Sequence, residues 1–235
     1  MKISNLNKTG SLPVKLKICG MGTPENIREI ASLEPDYLGF IFYENSPRNF
    51  TNEIPEISDK IIRTGVFVNA SESFILEKTL KHKLGAIQLH GGEDAKFCKQ
   101  LKLALKGSGI YPLPEIIKVF SIKEEFDFNE LEQFEDIADY FLFDTKGENK
   151  GGNGYPFNWD ILRDYPSTKP FFLSGGIGIE ALKNLRSLVE FFQKNGKEGV
   201  LYAIDVNSKF EISPGVKDKK LLEKFNAELK TIGIK

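Results

Sequence analysis

Metal-binding and disulfide-forming residues are scarce in this sequence. Cysteine occurs twice, as Cys19 and Cys98, and histidine twice, as His82 and His90. Two scattered histidines do not make a histidine-rich metal centre. A single bridge in a chain this large and cysteine-poor is a weaker expectation than two reduced thiols in a cytoplasmic enzyme. Long apolar runs are missing as well: none approaches the ~18 residues of a membrane span, so a soluble protein is expected. Nor is there an excess of charge. Asp and Glu number 33 against 32 Lys and Arg. Neither sign forms a long block, which leaves no electrostatic pull toward nucleic acid or an anionic membrane. The expected partner is a small molecule.

The first dozen residues, MKISNLNKTGSL, are polar. They lack the apolar core of a secretory signal and the arginine-rich pattern of a transit peptide, so residues 1–14 are read as a flexible extension. No linker, low-complexity tract or shift in composition divides the remainder, and residues 15–235 are read as one domain.

What the sequence does contain is a regular alternation. Eight β-rich runs recur: LKIC (16–19), YLGFIFY (37–43), IRTGVFV (62–68), GAIQLH (85–90), EIIKVF (115–120), YFLFD (140–144), PFFLSG (170–175) and VLYAIDV (200–206). Segments of helical periodicity separate them. Thr23-Pro24-Glu25, Ser71, Gly92-Glu93-Asp94 and Lys217-Asp218 supply helix-start chemistry before apolar positions three and four residues apart. Repeated strand-helix units imply a parallel α/β sheet, either closed or open and doubly wound. Eight strands favour closure into a (βα)8 TIM barrel, with each strand followed by a helix.

In such a barrel the chemistry gathers at the carboxyl ends of the strands. Those ends carry Cys19, the ENSPR segment with Arg48, His90, Asp144, the pair Gly175-Gly176, and Asp205 followed by Asn207 and Ser208. Glycines let backbone amides approach an anion, so the last two ends suit a phosphate; the alternative is a pair of tight turns. Arg48 offers a two-pronged grip on a carboxylate, or is a solvated surface arginine. Cys19 and Asp144 offer a base and an acid on opposite sides of the mouth; as packing, they are a buried thiol and a loop-capping carboxylate. His90 lines the mouth or satisfies a local hydrogen bond. His82, flanked by lysines, is expected to be solvated, Cys98 to be core, and Trp159 to pack at a helix start. The acidic stretch KEEFDFNELEQFED reads as a helix with its Phe and Leu residues inward.

Taken in order, KICGM, DYLGFIFYENSPRNF, GVFVNA, IQLHGGE, FLFDTKGENKGGNGYPFNW, FFLSGGI, AIDVNSKFE and SPGVKD resemble the phosphoribosylanthranilate isomerase family of tryptophan biosynthesis. The resemblance runs from Lys17 to about Asp218. It implies a single barrel that uses no metal or organic cofactor, occurs as monomer or homodimer, and catalyses an Amadori rearrangement of a phosphosugar. It implies Cys19 as general base, Asp144 as general acid and Arg48 as the holder of the anthranilate carboxylate. Gly175, Gly176, Asp205 and Ser208 fall in the implied phosphate region. Asn207 and Lys209 depart from the family's usual DVSSGVE, and FFQKNGKEG (191–199) is longer than usual. Related phosphosugar barrels fit less well. Metal-dependent epimerases need a His and Asp cluster, and the histidine-pathway isomerases resemble a design whose first strand ends in Asp. A barrel that only binds a phosphorylated ligand has no use for both Cys19 and Asp144.

Overall fold

The computed structural model describes residues 13–145 and 158–234. The loop sequence KGENKGGNGYP (146–156) and most of the expected extension lie outside the described residues.

Eight parallel strands close on themselves in sequence order. They are β1 (Lys15–Ile18), β2 (Tyr37–Ile41), β3 (Ile62–Phe67), β4 (Ala86–Leu89), β5 (Glu115–Ile122), β6 (Tyr140–Thr145), β7 (Phe171–Leu173) and β8 (Leu201–Val206). Each predicted strand run overlaps one of these. Closure is made by β8 on β1, where Lys17 stands beside Asp205 and Ile18 beside Val206. Two short antiparallel strands, β9 (Glu211–Ser213) and β10 (Val216–Lys217), form a hairpin after β8.

Strand alternation sorts the side chains into two cores. Tyr37, Ala86, Ile117, Val119, Leu142, Phe172 and Ala203 form a buried cluster of their own. The larger cluster, which includes Ile18, Leu38, Phe67, Ile87, Phe141, Phe143 and Phe171, joins the strands to the surrounding layer. Complete burial of each such aromatic or aliphatic side chain contributes about 1.5–3 kcal/mol. The barrel is therefore filled, and open chemistry is confined to its ends.

The helical layer departs from the expected one helix per strand. Among the described residues there are five α-helices: α1 (Pro24–Ala31), α2 (Glu72–His82), α3 (Ala95–Gly107), α4 (Leu182–Lys194) and α5 (Lys219–Thr231). Ser71, Asp94 and Asp218 cap α2, α3 and α5 by accepting from the amides of Phe74, Phe97 and Leu221. The connections before β6 and β7 are 3-10 turns instead, at Phe128–Phe134 and Trp159–Asp164. Leu131 and Phe134 still point inward, and Trp159 is buried as expected.

Between β2 and β3 the described chain forms no helix. Pro55 holds Ile54 away from helical geometry, and Phe50, Ile57 and Ile61 cover the sheet without one. This connection corrects the reading of His82. Its side chain is 3% exposed, stacked on Phe42 with ring centroids 5.2 Å apart, and burial holds its imidazole below the ordinary value despite Glu53 nearby. The lysines flanking it suggested solvent; the β2–β3 connection folds over it instead. The long FFQKNGKEG segment is the end of α4 and its turn, with Phe192 buried and Gly196 and Gly199 at positive φ.

Candidate active site

Cys19 follows β1 directly and is free and buried. The chain there leaves no room for a larger neighbour: a Cβ on Gly39 of β2 would stand 2.7 Å from Cys19 Sγ. Gly20 then turns at φ +76°, a region that costs other residues roughly 1–2 kcal/mol. So Gly20, within KICGM, and Gly39, beside it on β2, shape the pocket of the thiol.

Two buried ammonium groups act on that thiol. Lys17, one pleat below on β1, donates to both carboxylate oxygens of Asp205 at 2.9 Å and lies within electrostatic range of Cys19. Burial by itself would lower the Lys17 ammonium, but Asp205 and the thiol outweigh it and hold Lys17 above its ordinary value. Lys217, on β10, is the second, within electrostatic range of the thiol. Its Nζ donates to Asn207 Oδ1 at 2.6 Å and to Glu211 Oε1 at 2.7 Å, and burial lowers its pKa against the pull of Glu211. Burial also raises the Cys19 thiol; Lys17 and Lys217 oppose that rise and Asp205 adds to it. The resting group is a thiol, with two cations placed to receive its charge once the proton leaves. Cys98 differs: on the inner face of α3, burial pushes its thiol up to about 11.

Asp144 lies near the end of β6. Its Oδ1 accepts from the amide of Thr145 at 2.9 Å, and its Oδ2 is 3.3 Å from His90 Nε2. Asp205 is within electrostatic range of Cys19, Asp144 and His90. It thereby ties the β1 side of the mouth to the β4 and β6 side. His90 is kept at the rim by a second buried pair. Glu93 accepts from the amides of Asn69 and Gly91, at 2.7 and 2.8 Å. Lys118 then binds Glu93 at 3.1 Å and the Gly91 carbonyl at 2.9 Å.

The remaining predicted residues occupy the rim. Gly175 and Gly176 follow β7 with φ of +91° and +65°, and a Cβ on Gly175 would stand 2.7 Å from the Thr145 amide nitrogen. Ser208 opens a 3-10 turn, Ser208–Phe210, just after β8. Asp205 lies lower, inside the barrel, with both oxygens on Lys17. Arg48 is largely withdrawn from solvent and bound to Glu211 of the hairpin. Among the described residues no group of three or more His, Cys, Asp and Glu could hold a metal ion.

Sequence reasoning missed Lys17, Glu211 and Lys217 as site residues. The signal for Lys17 was present: a lysine alternating with apolar residues inside a strand of a closed barrel must point into the barrel. Lys217 was read only as part of a helix start.

The sequence profile of N-(5'-phosphoribosyl)anthranilate (PRA) isomerases matches residues 16–228. The chain belongs to this family. A PRA isomerase of Phocaeicola vulgatus is 40% identical over 215 residues, covering 92% of this chain and 97% of the relative. The crystal structure of a phosphoribosyl anthranilate isomerase from Thermus thermophilus superposes with a TM-score of 0.75 at 23% identity, covering 93% of this chain and all of that one. This likeness speaks for the fold. A further isomerase structure was solved in complex with reduced 1-(o-carboxyphenylamino)-1-deoxyribulose 5-phosphate. It has a TM-score of 0.68 at 25% identity and covers 93% of this chain and 99% of that chain. The family match spans nearly the whole described barrel.

Proposed function

We propose that this chain converts N-(5-phosphoribosyl)anthranilate to 1-(2-carboxyphenylamino)-1-deoxyribulose 5-phosphate, an aldose-ketose isomerisation of tryptophan biosynthesis. The observation that carries this reading is the meeting of a buried thiol, two ammonium groups and a carboxyl-imidazole pair at one end of a barrel of this family.

The substrate has an anionic group at each end, and the mouth has a feature for each. The backbone around Gly175, Gly176 and Ser208 takes the phosphate, and Arg48 takes the ring carboxylate. Between them, protonated Asp144 gives its proton to the furanose ring oxygen. The C1′–O4′ bond breaks and the electron pair on the anilino nitrogen forms a Schiff-base cation. That cation makes the C2′ proton acidic and supplies positive charge beside Cys19. Cys19 first releases its own proton to solvent; the thiolate then takes the C2′ proton and becomes a thiol again, the C–H electrons form the C1′=C2′ bond of an enolamine, and tautomerisation gives the ketone. Each positioned proton transfer contributes roughly 10²- to 10⁴-fold, and holding both ends of the substrate contributes the rest.

In this scheme Asp205 serves the base rather than the phosphate. A buried carboxylate repels a phosphate, and Lys17 already engages both of its oxygens. His90, 3.3 Å away, holds the Asp144 carboxyl in line. A cytoplasmic setting, in which both thiols stay reduced, belongs to the same reading.

The deciding assay follows the fluorescence of freshly made N-(5-phosphoribosyl)anthranilate with the purified protein. Decay well above the spontaneous rate is expected, and decay at the spontaneous rate sinks the proposal.

A further inference from the structure

Arg48 does not stand free at the rim. Its Nε is 2.8 and 3.0 Å from the two oxygens of Glu211, and its Nη2 is 2.7 Å from Oε2. The pair is nearly closed to solvent, with side chains 11% and 6% exposed. Glu211 is itself held by the Gly215 amide at 3.1 Å and by Lys217 at 2.7 Å. Burial would raise its carboxyl, but Arg48 and Lys217 more than offset this and keep it below the ordinary carboxylate range.

The hairpin that carries Glu211 is anchored in turn. Asn26 of α1 accepts from the Lys217 amide at 2.8 Å and donates to the Lys217 carbonyl at 3.0 Å. Arg48 runs close over the residue next to the thiol: a Cβ on Gly20 would stand 2.9 Å from Arg48 Cδ.

A guanidinium presents five N–H groups in a rigid fork. Glu211 occupies the edge formed by Nε and Nη2. The other edge, formed by Nη1 and the second Nη2 hydrogen, is the one left for a planar carboxylate. Arg48, Lys217 and Glu211 together carry one net positive charge, which matches one incoming carboxylate. A flexible arginine loses rotamer freedom when it binds; one clamped by a buried carboxylate has lost it already.

We propose that Glu211 is a positioning residue that sets the plane of Arg48 and thereby makes the site selective for aminoaldoses carrying a ring carboxylate. This inference rests on the function proposed above and on Arg48 as the carboxylate holder.

The test is steady-state kinetics on two substrates: N-(5-phosphoribosyl)anthranilate and its aniline counterpart, which lacks the carboxylate. Glu211→Gln also frees Lys217, so a change in kcat common to both substrates is expected; what marks positioning of Arg48 is a KM raised about tenfold for the first substrate alone. In an Arg48→Ala background the same substitution is expected to add nothing to that KM, because this part of its effect passes through Arg48. KM raised equally for both substrates, or full additivity in KM with Arg48→Ala, overturns the proposal. Should Glu211→Gln fail to fold, Glu211→Asp, which keeps the charge and shortens the reach, is expected to show the same substrate selectivity at smaller size. An unchanged substrate ratio in that variant overturns the proposal equally. Failure of the underlying function is separate, since wild-type protein would then turn over neither substrate.

Discussion

The two ends of this barrel bury polar groups in different ways. At the amino ends of the strands, Tyr37 donates to Glu115 at 3.0 Å and its hydroxyl lies 3.1 Å from that of Tyr202. Tyr140 stacks on Tyr202 with centroids 4.4 Å apart, and Lys15 covers the Tyr202 ring at 4.8 Å. Burial pushes Tyr37 and Tyr140 far above the ordinary phenol value, Glu115 adding to the effect. Tyr37, Glu115 and Tyr202 there meet one another, and aromatic faces pack around them. At the carboxyl ends, ammonium groups, carboxylates and a thiol are packed beside glycine turns that leave an anion room to enter. A displaced pKa is thus a poor guide to function by itself: the most displaced phenols sit at the closed end. What marks the working end is unlike groups, separately held, facing an opening.

The comparison can be broken most sharply at the acid and the base. Asp144→Asn and Cys19→Ala are each expected to lower kcat by roughly 10²- to 10⁴-fold while binding of a product analogue changes little. Turnover near the wild-type rate in either variant returns that residue to a structural role. The raised thiol also fixes a sign. The thiolate ultraviolet absorbance of a Cys98→Ser variant, which leaves Cys19 as the remaining thiol, is expected to grow only above ~8.5, the ordinary thiol value. Growth complete below that pH contradicts a raised Cys19.

Next in size is the cation beneath the thiol. Lys17→Met leaves the Asp205 carboxylate buried without its partner and is expected to cost about 3–5 kcal/mol in urea unfolding. A loss under about 1 kcal/mol would mean the pair is not buried as the structure has it. Gly175→Ala places a Cβ against the Thr145 amide at positive φ. It should raise KM about tenfold and weaken competition by inorganic phosphate alike. Smallest of all is the closed end. Tyr37→Phe removes one hydrogen bond to Glu115, an effect of about 1 kcal/mol on stability, with kcat and KM unchanged. A change in kcat would erase the division between the two ends.

Strand identity was legible because β-branched and aromatic runs alternate with capped helical segments, and all eight runs meet the barrel within a few residues. Cys19 and Asp144 were legible as strand ends. The long-range pairings that give them character were not. Lys17 and Asp205 are 188 positions apart and Arg48 and Glu211 are 163 apart; no local pattern encodes either pairing. The helical layer was over-read because amphipathic spacing does not distinguish an α-helix from a 3-10 turn that buries the same residues, as Leu131 and Phe134 do. His82 was misread since its neighbours in sequence are lysines while its neighbours in space are Phe42 and Phe50.

The long reach from Lys17 to Asp205 has a bearing on how the protein is made. The charge environment of Cys19 is drawn from the first strand, the eighth strand and the hairpin after it, so it exists only once the ring has shut. A nascent chain that has emerged through the turn after β7 has Cys19, Asp144 and the Gly175-Gly176 pair, yet none of the late contacts around the thiol. Catalytic competence therefore arrives in one step at the end of synthesis, and a prematurely terminated chain would be inert.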